Sequence, residues 1–114
     1  MSKGNYLGEF ELVVLLALAR LDKTASGMPI YDEICKTTGR DVSVHSVYVT
    51  LARMEKKGYV SSSPGNLASE ASASGRFRKC YSLSPNGISA LQRSRDMYEN
   101  LWAGVRLKVG ASES

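Results

Sequence analysis

The stretch Asp41–Val60, DVSVHSVYVTLARMEKKGYV, decides how the rest of the chain is read. It has the pattern of a capped helix that runs straight into a strand. Ser43 is a good N-cap, because its hydroxyl can accept from a free backbone N–H, and Gly58 can supply the left-handed residue that ends a helix. Between these caps Val47, Leu51 and Met54 recur at i, i+4 and i+7 with Val44 and Tyr48 flanking, giving a helix of about four turns with one face fit for a core. The opposite face carries His45, Ser46, Val49, Thr50 and Arg53, with Lys56 and Lys57 at the end. Short hydrogen-bonding groups, methyl-bearing side chains and cations gathered on one face are the chemistry that reads base edges and phosphates in a DNA major groove.

At 114 residues, 43% of them hydrophobic, the chain is expected to form one small domain, near the size at which dimerisation adds useful buried area. No apolar run approaches the roughly 20 residues of a membrane span. The longest, Leu12–Ala19, lies between Glu11 and Arg20 without the basic region and cleavage site of a leader. It reads as a buried helix of a cytoplasmic protein. Cys35 and Cys80 belong to no metal-ligand cluster and His45 is the only histidine, so no metal or cofactor is expected. Reduced, packed thiols are the plain expectation for the two cysteines, and a redox-sensing pair is the alternative.

The formal charge of +4 is unevenly spread. Residues 40–60 sum to +2, and residues 71–95 hold five cations and no carboxylate. A basic face concentrated in this way points to a polyanionic partner.

Ahead of the opening stretch, Leu7 to about Leu21 is helical in character, and Leu12–Ala19 is apolar on every side, as in a helix enclosed by others. Asp22–Met28, DKTASGM, reads as a turn. Pro29 fits the first position of a second helix, where its missing N–H costs nothing, and Gly39 stops that helix after Thr38. Ile30 and Ile34 share its inner face, Asp32, Glu33 and Lys36 point away, and Tyr31 is either core or a contact to a phosphate backbone. The four residues GRDV then force a sharp turn into the helix already described. That is a helix-turn-helix.

Beyond Gly58, Tyr59–Ser63 reads as a strand and Arg76–Leu83 as its partner, with Phe77, Tyr81 and Leu83 alternating with Arg76, Arg78, Cys80 and Ser82. The linking segment PGNLASEASASG has little to bury and is expected at the hairpin tip, with Arg76, Arg78 and Lys79 at its base. A basic hairpin beside a reading helix acts as a wing; a merely solvated hairpin is the alternative. Ser84-Pro85 starts a last helix, expected to reach about Lys108. Ile88, Leu91, Tyr98, Trp102, Val105 and Val109 fall on an a/d heptad pattern, with Arg95 at one a position. Such a stripe calls for the same helix of a second copy, helped by the first helix, unless it folds back on its own domain.

The motifs LGEFELVVLLAL, GMPIYDEI, SVHSVYVTLARMEKKGYV and GRFRKCYSLSPNG, in this order and spacing, resemble the PadR-like transcriptional regulators over most of the chain. The resemblance implies a mainly α fold with a two-stranded β wing. This is a winged helix-turn-helix over 1–83 with a C-terminal dimerisation helix over 84–109 and a flexible tail over 110–114. It also implies a cytoplasmic bacterial regulator, mostly repressing, of the short branch with a single C-terminal helix. Ser26 stands where an aromatic residue commonly precedes the glycine of the second helix, and Phe77 where the wing often has proline. In some members an aromatic residue on the C-terminal helix lines a dimer cavity for flat hydrophobic molecules. Tyr98 and Trp102 are the matching candidates for a small hydrophobic effector, with plain interface packing as the alternative.

The chain offers no nucleophile with its base, no phosphate loop and no carboxylate pair, so an enzyme is not expected. As a homodimer on double-stranded DNA it would set its reading helices in successive major grooves roughly 34 Å apart, matching an inverted repeat with half-sites about 10 bp apart. Ser43, Ser46, Lys56, Arg76, Arg78 and Lys79 would hold the backbone. His45, Val49, Thr50 and Arg53 would sample bases. The competing reading is a winged-helix interaction module that docks its basic face on an acidic protein, although such a site is usually more aromatic.

Overall fold

The computed structural model describes residues 6–64 and 79–107. Helix α1 (Glu9–Arg20) leads into strand β1 (Thr24–Ser26), helix α2 (Gly27–Thr38), helix α3 (Val44–Lys56), strands β2 (Val60–Pro64) and β3 (Lys79–Leu83), and helix α4 (Pro85–Trp102). The core gathers Val14, Leu15 and Leu18 of α1, Ile30 and Ile34 of α2, and Val47, Leu51 and Met54 of α3. Tyr81 of β3 and Ala90 of α4 close it from the other side.

Each helix end has a local cause. The carboxylates of Glu9 and Glu11 occupy the first turn of α1 and Arg20 its last, both favourable to the helix dipole. Gly39 ends α2 with φ of 72°. The following turn is tied by Thr38, whose Oγ1 donates to the Ile34 carbonyl at 2.7 Å and accepts from the Arg40 N–H at 3.0 Å. Ser43 caps α3 by accepting from the Ser46 N–H at 3.0 Å. At its far end Gly58 (φ 83°) donates to the Glu55 carbonyl and Tyr59 to the Met54 carbonyl, the paired bonds of a Schellman motif.

Several expectations are corrected. The two-stranded wing is part of a three-stranded antiparallel sheet of order β1-β3-β2, because the segment expected as a plain turn contains β1. Asp22 and Lys23 take φ of 67° and 70°, reversing the chain after α1 so that Thr24 faces Ser82 and Ser26 faces Cys80. On the other edge Val60 faces Leu83 and Ser62 faces Tyr81, so Tyr59 precedes the strand rather than starting it. Pro29 is the third residue of α2, since Ser26 rather than Met28 is the N-cap. Leu16 is 46% exposed, so α1 is not enclosed on every side. Helix α4 stops at Trp102, with Gly104 in the left-handed region at φ 80°, so Val105 is not helical.

Helix α4 packs inward through Gly87, Ala90 and Ser94, with Leu91 against the core. Ile88 and Leu91, the first two heptad positions, are half-buried within the chain, whereas Arg95 is exposed and pairs with Glu99 at 3.1 Å. The two cysteines are free and half-buried, and the neighbouring Cys35 side chain raises the pKa of the Tyr31 hydroxyl. Arg76, Phe77, Arg78, Val109 and the 110–114 tail lie outside the described residues. No helix among the described residues is long and apolar enough to cross a membrane.

Candidate nucleic-acid interface

Helix α3 is held by its inner face and capped at both ends, which leaves an outward face of fixed orientation. His45, Tyr48, Val49, Arg53 and Lys56 stand exposed on it, and Ser46 is half-buried beside the cap. The hydroxyls of Ser43 and Ser46 lie 2.8 Å apart, so the N-terminus presents two linked hydroxyls together with the uncommitted N–H groups of a helix start. Together these groups suit an anionic oxygen.

Thr50 is not on this face. It is 2% exposed, because at 100° per residue it falls about 60° from Val47 and about 40° from Met54, at the edge of the core stripe. Contrary to the expectation from sequence, Thr50 is therefore a core residue rather than a base reader.

The cations around the face are anchored, which the sequence reading missed. Arg53 Nε stands 3.5 Å from Glu11 Oε2, and Lys57 Nζ donates to the same oxygen at 3.3 Å. Glu11 Oε1 accepts from the Gly8 N–H at 2.8 Å, so this carboxylate joins the start of α1 to the end of α3. Arg40, in the turn before α3, reaches Glu9 at 2.6 Å and lies 5.6 Å above the Phe10 ring. Lys79, the wing cation among the described residues, is 3.9 Å from Glu55, which also accepts from the Ser62 hydroxyl at 2.6 Å. The one available sequence signal was Glu11 three residues after Gly8, placed to accept from the Gly8 N–H at the start of α1.

Two further contacts set the pose of α3. The Tyr48 ring covers Gly27 so closely that any side chain at position 27 would collide with it. Beneath the sheet, burial pushes the Tyr81 phenol above its ordinary pKa, with the Glu55 carboxylate adding to the shift.

A second and third helix in tight succession, a hairpin beside them and cations at the shared edge define a winged helix-turn-helix of the DNA-binding kind. The model of the transcriptional regulator PadR-like family matches residues 14–93, and the chain belongs to that family. The PadR family transcription regulator of Clostridium difficile is similar in structure at TM-score 0.67 and 22% identity, over 84% of this chain and 93% of that one. A winged-helix DNA-binding protein from STIV reaches TM-score 0.70 at 12% identity, over 89% and 99%. The organohalide-sensing regulator RdhR, in its 2,4-dichlorophenol-bound form, matches at TM-score 0.63 and 17% identity, over 91% of this chain and 56% of that one. At such identities the likeness establishes the fold. Among curated proteins none matches.

Proposed function

We propose that the protein is a homodimeric, sequence-specific repressor that reads an inverted-repeat operator with α3. The observation that carries this reading is the outer face of α3, where His45, Val49, Arg53 and Lys56 stand clear of a core that fixes the helix from behind. Residues 1–83 form the DNA-binding unit, 84–109 supply dimer contacts and 110–114 are a tail. His45, Val49 and Arg53 sample bases. Ser43, Ser46, Lys56, Arg76, Arg78 and Lys79 hold phosphates. Tyr98 and Trp102, both exposed on α4, are the surface on which a flat hydrophobic effector would stack. The phenol bound to the similar organohalide sensor supports that ligand class.

A gel shift on the DNA upstream of the protein's own gene, run across a salt series, tests the reading. Selective binding that weakens steeply with salt is expected. Arg53→Ala should cost about 1–3 kcal/mol and relax the preference at one base, whereas Arg78→Ala should weaken all sequences alike and flatten the salt dependence. Absence of binding even at low salt would favour a module that docks on an acidic protein.

A further inference from the structure

Glu11 lies on α1, outside the helix-turn-helix, yet its carboxylate reaches the reading helix. One oxygen is committed to its own helix start by the Gly8 N–H at 2.8 Å. The other meets Arg53 Nε at 3.5 Å and Lys57 Nζ at 3.3 Å. The Glu11 side chain is only 13% exposed, while that of Arg53 is 48% exposed. A largely buried anion thus stands in ion-pair range of an arginine whose outer part remains in solvent.

Which atom is gripped matters. An arginine reads guanine with two donors of its planar fork against O6 and N7. A contact at Nε leaves the two terminal nitrogens as that pair of donors. Arginine also loses rotamer freedom when it is fixed, so an arginine already biased by an ion pair before DNA arrives binds at lower entropic cost. A free carboxylate at this edge would repel phosphates, but Lys57 on the same oxygen leaves the trio at net +1.

We propose that Glu11 is a specificity-determining positioning residue, which holds Arg53 by Nε so that its terminal nitrogens face a guanine edge. The inference rests on the reading of α3 as the DNA-reading helix. It makes α1 part of the recognition apparatus, so one base preference depends on a residue that touches no DNA.

The test selects duplexes from a randomised pool with the full-length protein, then measures affinity for the enriched and for a scrambled duplex. If wild-type protein enriches no sequence, the proposed function fails, and this inference with it. If it does enrich one, Glu11→Gln should lose roughly three- to tenfold in affinity for the enriched duplex, with the loss confined to one base position. Scrambled-duplex binding should hold or tighten. Glutamine keeps the bond to the Gly8 N–H, and a thermal melt checks that the fold survives. Glu11→Asp, with its charge kept but its reach shortened, should lose the same preference and serves if the glutamine variant is unfolded. In an Arg53→Ala background, Glu11→Gln should change nothing further at that base. Unaltered preference in a folded Glu11 variant, or equal tightening on both duplexes, would overturn the proposal, because Glu11 would then be a cap or a mere electrostatic counterweight.

Discussion

Gly87 of α4 lies directly against the carbonyl oxygen of Tyr59, so closely that a Cβ at position 87 would collide with backbone. Neither side can give way easily. The Tyr59 carbonyl accepts from the Ser84 N–H at 3.0 Å, and the Ser84 hydroxyl donates to the Gly58 carbonyl at 2.6 Å while capping α4 through the Gly87 N–H at 3.0 Å. This knot is where the last helix is joined to the end of α3. Gly87→Ala should therefore destabilise the protein by about 1–3 kcal/mol, as overpacking against fixed neighbours does. Ser84→Ala should cost about 1 kcal/mol through loss of the cap. Thermal melts of the two variants check both figures, and an unshifted Gly87→Ala melt would mean that α4 moves freely on Tyr59.

Glu33 predicts the acid limb of stability. Its side chain is 10% exposed, with Arg20 Nε at 2.7 Å, Thr37 Oγ1 at 3.0 Å and Lys36 Nζ at 3.5 Å. The Arg20 hydrogen bond, then that of Thr37, holds its pKa below the ordinary 4.5. The unfolded carboxyl therefore takes up its proton first as pH falls. Stability from this group is fully present above pH 4.5 and is lost as pH drops through the lower folded value. Denaturant titrations from pH 6 to about pH 2.5 should show a steeper acid decline for wild type than for Glu33→Gln. Parallel curves would mean that the carboxylate gains nothing from its partners.

Periodicity located the reading helix, the second helix and the wing because each buries residues at short, regular spacing. Ser43, Gly39 and Gly58 all act at helix ends as their chemistry dictates. What escaped was non-local. Strand β1 is only three residues of TAS, and its partners near Tyr81 lie more than fifty residues away, so no local pattern marks it. The pairing of Glu11 with Arg53 and Lys57 likewise depends on where α1 begins relative to where α3 ends. Thr50 differs: its spacing from Val47 and Met54 sets it at the edge of the core stripe, and only its polar type pointed to the outer face.

Thr50 supplies a direct check on that correction. Because it is buried, Thr50→Val should leave operator selection unchanged and alter stability by no more than about 1 kcal/mol, while Thr50→Lys should unfold the domain by burying a charge. Val49, 44% exposed one residue earlier, should behave oppositely: Val49→Ala should leave the melt within about 0.5 kcal/mol and change the selected sequence. Selection and melts on the same variants give both readouts. A change of selected base in Thr50→Val would restore Thr50 to the interface.

The end of α4 carries the prediction on assembly. With the helix closing at Trp102, the heptad does not continue to Val105, and the exposed apolar surface falls on Tyr98, Leu101 and Trp102, one face at i, i+3 and i+4. Trp102 is 58% and Leu101 65% exposed, an arrangement that a partner helix would cover. Large aromatic residues dominate such contacts, so Trp102→Ala should weaken self-association by at least about 2 kcal/mol, or roughly 30-fold in Kd. Leu101→Ala should add to it. Leu91→Ala, by contrast, should lower the melting temperature, because Leu91 already packs against its own core. Sedimentation velocity across a concentration series separates these effects. Undiminished association in the Trp102→Ala, Leu101→Ala double variant would place the dimer contact elsewhere on the chain.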